Sequence, residues 1–413
     1  MAYSSPMRQR LFAISLVMLG AAALPAGFLA VACSPAERSF GDGDGGGGTG
    51  GASPTGSGGA SPAGSGGASP AGSGGASPAG SGTGGGVSAG EGGGGGTGAA
   101  GGGDTQPLPP EVVATGLDDP YSIAVDDQSV FILSTSTLLR CPLAGCPAPV
   151  VLADGLGPPA NAVIATPYLI GVDPNFVHWL SSPNDGGSRR YYRCPAAGCV
   201  FKTPVEVWES VASNLNQIHV SDDGVARISD KFDVLECDNG QCERIRCVSA
   251  DGIRSFVMDG TTVYWAHPTD PGGVYFCDPG NADGAIQLHA EHGVVMAIHD
   301  GIHYVMNAAK STIFACKKTG CGGSPTTFVE GEPSLTSMAV GPTGVYWTAL
   351  GTGMSADGVV KMCPLDGCGG GPRVIASNQA RPTSVRLRNG FVYWSNRGLS
   401  GSPMSGEIVR AGL

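Results

Sequence analysis

The chain has few charged side chains for its length, and basic ones are the scarcer. Its 413 residues contain 23 Lys and Arg against 34 Asp and Glu, which gives a formal net charge of -11. Proteins that bind nucleic acids, other polyanions or anionic lipid neutralise them with Lys and Arg. The composition therefore argues against all of these partners.

Helical periodicity and local catalytic motifs are also missing. No apolar pattern of helical period extends beyond about two turns. The H-E-x-x-H zinc motif and the G-x-x-x-x-G-K-[ST] phosphate-binding loop do not occur. Carboxylates brought together from distant segments would leave no such local signal, so an enzyme remains an alternative.

The cysteines are present in a repeated pattern that predicts disulfides. A Cys-x4-Cys hexapeptide recurs at the same point of a longer repeat, and a zinc site would need two such pairs close together. A disulfide across a hairpin fits better, as expected in an oxidising compartment. Cys247 with Cys277 makes a sixth pair by elimination, which leaves only Cys33 of the 13 cysteines. The five hexapeptide pairs are Cys141 with Cys146, Cys194 with Cys199, Cys237 with Cys242, Cys316 with Cys321, and Cys363 with Cys368.

Residues 1–32 have the pattern of a signal peptide. Arg8 and Arg10 precede an apolar run over 11–32, and Cys33 follows directly. This arrangement resembles the bacterial lipoprotein signal, which implies lipidation of Cys33 and anchoring in the cell envelope, at the outer membrane or cell surface. The alternatives are cleavage at the A-x-A sequence 30–32 with plain secretion, or an uncleaved membrane span.

Residues 33–106 are predicted to be a disordered, low-complexity tether. The stretch consists mainly of Gly, Ser, Ala, Pro and Thr, with an octad that repeats from residue 50. Such a segment buries too little apolar surface to fold. As a flexible coil it would span roughly 45 Å. A specific binding role or a glycosylated stalk are the alternatives.

Residues 107–413 predict an all-β fold, a β-propeller of four-stranded blades. Short β-branched and aromatic runs alternate with Gly, Pro, Asn and Asp, as strands alternate with turns. The strand at 111–115 resembles 373–377 and is expected to complete the last blade, whose own third strand lies at 406–410. A Val-Tyr-Trp motif, exact or degenerate, recurs seven times, centred on Phe131, His178, Ala226, Tyr264, Val305, Tyr346 and Tyr393.

One unit of the repeat is similar to a known family. A Tyr-Trp pair followed by a strand, the Leu365-Asp366-Gly367 turn, an apolar return strand and Pro382 resemble the YWTD repeat of the wider TolB-like propeller group. The resemblance implies six blades, whereas the motif count predicts seven. The family's Asp is absent, because Thr348-Ala349, Ser395-Asn396 and Ala266-His267 stand where its Thr-Asp would.

The candidate ligand face is predicted from loop length. Tight turns join strands one to two and three to four, so they share one face, and the longer connections over 182–190, 268–273, 351–358 and 397–406 share the other. Variable loops on a rigid scaffold are where function concentrates. The candidate ligand residues there are Asp185, Arg189, Arg190, His267, Asp270 and Arg397.

A metal or cofactor site is not predicted. The hairpin signal Asp300-Gly301 places His299 and His303 on opposite faces, so we interpret the cluster of His289, His292, His299 and His303 as packing or solvated residues. The Asp-Gly turns lack the spacing of a calcium loop, although Ca²⁺ stays an alternative there. The Tyr-Trp pairs are expected to pack the blades rather than to form a sugar-binding platform.

The sequence thus predicts an envelope-anchored lipoprotein whose monomeric propeller is a non-catalytic binding module. Its expected partner is an envelope protein or polysaccharide, with no nucleic acid bound. The alternatives are an extracytoplasmic lyase or hydrolase with its site in the propeller channel, and a purely structural envelope protein.

Overall fold

The computed structural model describes residues 109–157, 168–183, 189–209, 215–221, 223–230, 233–238, 240–245, 252–267, 272–279 and 284–413. They belong to one compact unit, Gly96–Leu413. The predicted signal peptide and tether, Cys33, Asp185, Asp270 and Cys247 lie outside the described residues. Within the described ranges, no helix has the length and hydropathy needed to cross a bilayer.

The strands form seven antiparallel sheets, the blades, which are numbered here in chain order. The first strand, β1 (Glu111–Leu117), belongs to the last blade. Blade 1 contains β2 (Ser122–Val125), β3 (Ser129–Leu133), β4 (Leu138–Pro142) and β5 (Val150–Ala153). Blade 2 contains β6 (Leu156–Gly157), β7 (Ile170–Val172), β8 (Phe176–Pro183), β9 (Arg190–Pro195) and β10 (Val205–Glu209), with a 3-10 helix, Val200–Lys202, before β10. The two-residue strand β6 pairs with the end of β8, beside the four strands of that blade.

The remaining blades are regular. Blade 3 contains β11 (Gln217–Val220), β12 (Ala226–Ser229), β13 (Val234–Asp238) and β14 (Gln241–Arg244). Blade 4 contains β15 (Ser255–Asp259), β16 (Thr262–His267), β17 (Gly273–Cys277) and β18 (Ile286–His289). Blade 5 contains β19 (Val295–His299), β20 (Ile302–Asn307), β21 (Thr312–Lys317) and β22 (Thr326–Val329). Blade 6 contains β23 (Leu335–Gly341), β24 (Gly344–Ala349), β25 (Gly358–Cys363) and β26 (Arg373–Gln379), and blade 7 contains β27 (Pro382–Arg388), β28 (Phe391–Asn396) and β29 (Gly406–Gly412).

The blades close into a ring. The first strands β2, β7, β11, β15, β19, β23 and β27 each contact the first strand of the next blade, and β27 contacts β2. The predicted all-β propeller of four-stranded blades is confirmed, with seven blades. The six-bladed alternative implied by the YWTD resemblance is wrong, because the degenerate motif around Ala226 forms the second strand of a complete blade.

The N-terminal strand completes the last blade, as predicted. β1 pairs with β29 in antiparallel register, with Glu111 opposite Arg410 and Leu117 opposite Gly406. The Arg410 guanidinium also donates to the Glu111 carboxylate. This pairing removes the open edge that β29 would otherwise expose.

The tryptophans of the repeated aromatic motif lie in the hydrophobic core. Trp179, Trp265, Trp347 and Trp394 all have 0% of their surface exposed. An aromatic ring on a strand buries a large apolar area when the neighbouring blade covers it. The interpretation of these residues as blade packing, rather than as a sugar-binding platform, is therefore the one that fits their burial.

The five hexapeptides form disulfides, as predicted, each at the turn between a blade's third and fourth strands. Cys277 is also disulfide-bonded, and its predicted partner Cys247 lies outside the described residues. The turn at Asp300-Gly301 has both residues at positive φ, +46° and +71°, which matches the right-handed twist of the flanking strands.

Side-chain hydrogen bonds tie neighbouring innermost strands together. Gln217 exchanges two such bonds with the backbone of Phe256, at 2.8 and 2.9 Å. Four serines on these strands each accept from a backbone N–H of the following blade: Ser122 from Leu169, Ser255 from Met296, Ser337 from Val385 and Ser384 from Ile123.

Candidate ligand-binding face

The two faces of the propeller differ in the connections they carry. The hairpin face carries the turns between strands one and two and between strands three and four, including the five disulfide hairpins. The loop face carries the connections between strands two and three and those from blade to blade. Its described segments include 118–121, 252–254, 350–357, 380–381 and 397–405.

The central channel is filled at one level by a tyrosine and an arginine. The hydroxyl of Tyr168, which precedes β7 of blade 2, donates to the carbonyl of Met338 in blade 6. Blades 2 and 6 are not neighbours, so this contact crosses the channel. The Arg386 guanidinium of blade 7 lies 4.4 Å from the centre of the Tyr168 ring. Burial lowers the pKa of Arg386 to about 10, so it stays protonated at neutral pH.

A recess of about 340 Å³ lies on the loop face beside blade 7. Arg397, a predicted ligand residue, forms part of its wall. Its guanidinium binds both carboxylate oxygens of Asp119, at 2.6 and 2.5 Å, in the bidentate geometry that makes such pairs strong. The recess is lined by Asp118, Asp119, Arg381, Arg397, Leu399, Gly401, Ser402 and Pro403.

Two residues of this recess have a backbone conformation that side chains rarely adopt. Asp119 has φ of +47° and Arg381 has φ of +60°. Residues in this region cost free energy and concentrate at functional sites. Neither residue was predicted from the sequence.

Tyr121, two residues after Asp119, is buried, with 5% of its surface exposed. Its hydroxyl has no hydrogen-bond partner. Burial raises its pKa, and the positive charges of Arg189 and Arg397 act in the opposite direction. The hydroxyl is therefore a protonated donor without a partner, and the charges of two guanidinium groups act on it.

Two further arginines interact through their charge, Arg189 with Tyr121 and Arg254 with Arg189. Arg189, a predicted ligand residue, is buried and donates to the Leu215 carbonyl at 2.6 Å. Arg254 is close enough to Arg189 to lower its pKa, which burial also lowers. In the part of the chain that the structure describes, the guanidinium groups of Arg254 and Arg381 make no hydrogen bond or ion pair. We call Tyr121, Arg189, Arg254, Arg381 and Arg397 the mouth cluster.

The other predicted ligand residues lie elsewhere. Arg190 begins β9, where it forms ion pairs with Glu206 at 3.0 Å and Glu209 at 3.1 Å on β10. His267 ends β16 on the loop face and is partly exposed. Arg189 and Arg397 both act on Tyr121 through their charge, whereas Arg190 lies on the outer strands of blade 2. Asp185 and Asp270 are outside the described residues.

The sequence did carry a signal for the unpredicted members. Each member of the mouth cluster stands directly before or after a strand end: Tyr121 before β2, Arg254 before β15 and Arg381 before β27. These are blade-to-blade connections, whereas loop length pointed only to the connections between strands two and three.

In two recesses on the hairpin face, arginine side chains form ion pairs with carboxylates of the protein. One of about 630 Å³ lies between blades 3 and 4, and there Arg227 pairs with Glu236 at 2.7 Å. Another of about 290 Å³ contains Arg388, which pairs with Asp127 at 2.6 Å. These guanidinium groups already have carboxylate partners within the protein.

The four clustered histidines differ in their strand register and in their burial. Ile298 lies opposite His303 and His299 opposite Ile302, as the predicted hairpin requires. His289 and His303 are buried, and Nε2 of both rings and Nδ1 of His303 have no partner. The His303 ring lies 4.1 Å from that of Tyr264. Among the described residues, no group of three or more His, Cys, Asp or Glu is placed to hold a metal ion.

A buried chain of hydrogen bonds fixes the turn at the start of blade 2. His178 Nε2 lies 2.6 Å from Asp173 Oδ2, and its Nδ1 lies 2.7 Å from the Tyr191 hydroxyl. The other oxygen of Asp173 accepts from the backbone N–H groups of Asn175 and Phe176. The network satisfies buried polar groups within the blade.

Comparison with known proteins identifies the fold. No protein-family model and no curated protein matches the chain. Virginiamycin B lyase from Staphylococcus aureus is similar in structure, with a TM-score of 0.51, 10% identity, and coverage of 74% of this chain and 99% of that one. The PQQ-bound aldose sugar dehydrogenase from Streptomyces coelicolor has a TM-score of 0.45 at 12% identity, covering 73% and 96%. BamB from Moraxella catarrhalis has a TM-score of 0.43 at 12% identity, covering 72% and 84%. At these identities the likeness shows a β-propeller fold alone.

Proposed function

We propose that this chain is an exported, lipid-anchored protein whose propeller is a non-catalytic binding module for a polysaccharide of the cell envelope. The ligand is held on the loop face. The single observation that carries the proposal is the recess of the mouth cluster, which Arg381 and Arg397 line together with Asp118, Asp119 and Ser402.

The chemistry of that cluster favours binding over catalysis. A guanidinium is permanently protonated at neutral pH and offers up to five N–H donors, so it binds by charge and hydrogen bonds and does not transfer protons. The alternative of a lyase or hydrolase would place its reacting groups in the channel. Tyr168 and Arg386 occupy the channel at the level where they stack.

The disulfides support export. Five of them, one in each of five blades, are typical of proteins from oxidising compartments outside the cytoplasm. The lipid anchor rests on the sequence around Cys33, which the predicted pairing of the other cysteines leaves free. Mass spectrometry of the mature protein is expected to find a lipid-modified Cys33 as its first residue. An unmodified Cys33, or a chain that keeps residues 1–32, would rule the anchor out.

Sedimentation with washed cell envelopes tests the binding function and its face. The full mature chain carrying Cys33→Ser is used, so that sedimentation reports the propeller and not the lipid. We expect Arg381→Glu on the loop face to abolish sedimentation. Arg388→Glu on the hairpin face is the matched control and should sediment as the parent does.

Treatment of the envelopes identifies the class of ligand. Binding that survives protease digestion but is lost when polysaccharide is removed supports the proposal. Binding lost after protease would replace the polysaccharide with a protein. Shortening of the polymer during incubation would favour the enzyme, and loss of binding only in Arg388→Glu would overturn the loop face.

A further inference from the structure

We propose that the outer rim of blades 1 and 2, on the hairpin side, docks on the surface of a lipid bilayer into which the side chain of Phe201 inserts. This goes beyond the proposed function, because it concerns the face opposite the one that holds the polysaccharide. Phe201 is a large apolar side chain with 95% of its surface exposed to water. It lies in the turn between β9 and β10, within the 3-10 helix Val200–Lys202.

The backbone holds Phe201 in this position at a cost in free energy. Phe201 and Lys202 have φ of +52° and +59°, in a region that residues other than glycine rarely adopt. The Lys202 N–H donates to the Cys199 carbonyl at 3.1 Å, and the disulfide between Cys194 and Cys199 closes the chain directly before the turn. Strained residues concentrate at functional sites. The turn therefore presents the phenyl ring in a fixed position.

Phe201 belongs to an apolar patch between two blades. The 3-10 helix contacts β5 of blade 1, and Lys202 pairs with Asp154, the residue after β5, at 3.7 Å. Both β5 and β10 begin at the hairpin side, and each begins with an exposed valine. Adjacent exposed apolar side chains are typical of an interaction surface. We call these residues the rim patch: Val150, Val200, Phe201 and Val205.

The partner is inferred from the place where the chain enters the propeller. β1 is the fourth strand of blade 7, so it begins on the hairpin side, at Glu111. The Arg410 guanidinium binds the Glu111 carboxylate and also donates to the Leu143 carbonyl, at 3.2 Å, in the disulfide hairpin of blade 1. That hairpin leads into β5 and Val150. The chain that precedes Glu111 therefore joins the propeller next to the blade that carries part of the rim patch.

A lipid surface is the partner that this arrangement favours. In the proposed function, the chain before Glu111 is a tether that ends in a lipid anchor at Cys33. Such a tether keeps the bilayer at a high effective concentration around the side of the propeller to which it is joined. A single acyl chain gives only marginal membrane binding, and one phenyl ring buries less apolar area. The rim patch alone would therefore bind weakly, and together with the tether it would orient the loop face away from the membrane.

Charge does not drive the docking. Lys202, next to Phe201, is already paired with Asp154, and Glu206, which follows Val205, is exposed. The chain as a whole has a net charge of -11, which opposes attraction to anionic lipid. Salt screens interactions between exposed charges but does not screen apolar insertion. We therefore expect docking on neutral phosphatidylcholine, and equally at low and high salt.

Quenching of tryptophan fluorescence in the variant Phe201→Trp tests the inference. The full mature chain, carrying Cys33→Ser and an N-terminal histidine tag, is held on phosphatidylcholine vesicles by a nickel-chelating lipid, so that natural lipidation is not required. Brominated acyl chains quench an indole that inserts among them. We expect Phe201→Trp to show a blue shift and a loss of emission that the parent lacks. Ile286→Trp is the matched control, because Ile286 is exposed and begins the fourth strand of blade 4, and it should be quenched no more than the parent.

Equal quenching in the two tryptophan variants would overturn the docking. Quenching that requires anionic lipid and disappears at high salt would overturn apolar insertion as its cause. Sedimentation velocity of the untagged chain carrying Cys33→Ser examines a second copy as the partner. A dimer that is lost in Phe201→Ser would assign the rim patch to that second copy and overturn the bilayer. Phe201→Ser should leave the melting temperature unchanged, since an exposed ring has little packing to lose.

Failure of this inference is distinguishable from failure of the proposed function, because the vesicles contain neither polysaccharide nor the natural anchor. If Phe201→Trp is not quenched but Arg381→Glu abolishes sedimentation with envelopes, only the membrane contact is wrong. If Phe201→Trp is quenched and Arg381→Glu sediments as the parent does, only the ligand face is wrong.

Discussion

Ser384 in the innermost strand of blade 7 accepts a hydrogen bond from the backbone N–H of Ile123 in the innermost strand of blade 1, at 3.2 Å. The two residues are 261 positions apart, and both are fully buried. The bond therefore joins the last blade to the first, at the innermost strands, while β1 and β29 join the same two parts of the chain further out.

Removing this hydroxyl should destabilise the ring. Ser384→Ala leaves the buried N–H of Ile123 without an acceptor, which costs about 1–3 kcal/mol of unfolding free energy. Urea unfolding of the full mature chain measures the effect. Exposed Ser377 on β26 is the matched control, and Ser377→Ala should unfold at the parent's midpoint. Identical midpoints for the two variants would mean that the hydrogen bond between Ile123 and Ser384 contributes nothing to the free energy of unfolding.

Much of the fold could be predicted from the sequence because each blade repeats the same local pattern. Trp347 and Trp394 recur at one position of the repeat, and Cys363 with Cys368 marks a hairpin between two strands. Ser384 gave no such signal, because a serine at the start of a strand has many uses and its partner Ile123 is distant in sequence. The strong local motifs therefore identified the blades, and the contacts between blades needed the structure.

The candidate site was predicted only in part for the same reason. Arg189 and Arg397 lie at the ends of long loops and were found by loop length. Tyr121, Arg254 and Arg381 lie in connections from one blade to the next, which the prediction from loops between strands two and three did not cover. A side chain's distance from another blade cannot be read from local spacing.

Acid should weaken the contact between blades 4 and 5 through His303. Burial and the nearby His289 lower the pKa of His303 to about 4, against about 6.5 in an unfolded chain. The unfolded state therefore binds a proton first, so the stability contributed above pH 6.5 is lost as the pH falls towards 4, by up to roughly 3 kcal/mol.

Replacing the histidine tests this loss. His303→Phe keeps an aromatic ring against Tyr264 and cannot be protonated, so its urea midpoint should fall less than the parent's between pH 7.5 and 4.5. His292→Phe, at a partly exposed position, serves as the control and should follow the parent. If His303→Phe follows the parent's pH dependence as well, His303 is not the responsible group.

The hairpin disulfides should matter for stability but not for binding. Replacing Cys363 and Cys368 together by serine removes a crosslink over a short loop, which is expected to cost about 2 kcal/mol. This hairpin lies on the face opposite the mouth cluster, so envelope sedimentation at 20 °C should be unchanged. Loss of envelope binding in a variant that remains folded would assign the hairpin face a role in recognition.

Disulfide mapping of the parent should find Cys277 joined to Cys247. A different partner would contradict the pairing by elimination.

Hydrogen exchange with and without bound envelope polysaccharide measures the ligand face most directly. The full mature chain carrying Cys33→Ser is labelled in both states, and exchange is followed by mass spectrometry of its peptides. We predict slower exchange on binding in the loop-face segments 118–121, 252–254 and 397–405, with no change in the hairpins at 141–146 and 363–368. Protection confined to those hairpins would contradict it.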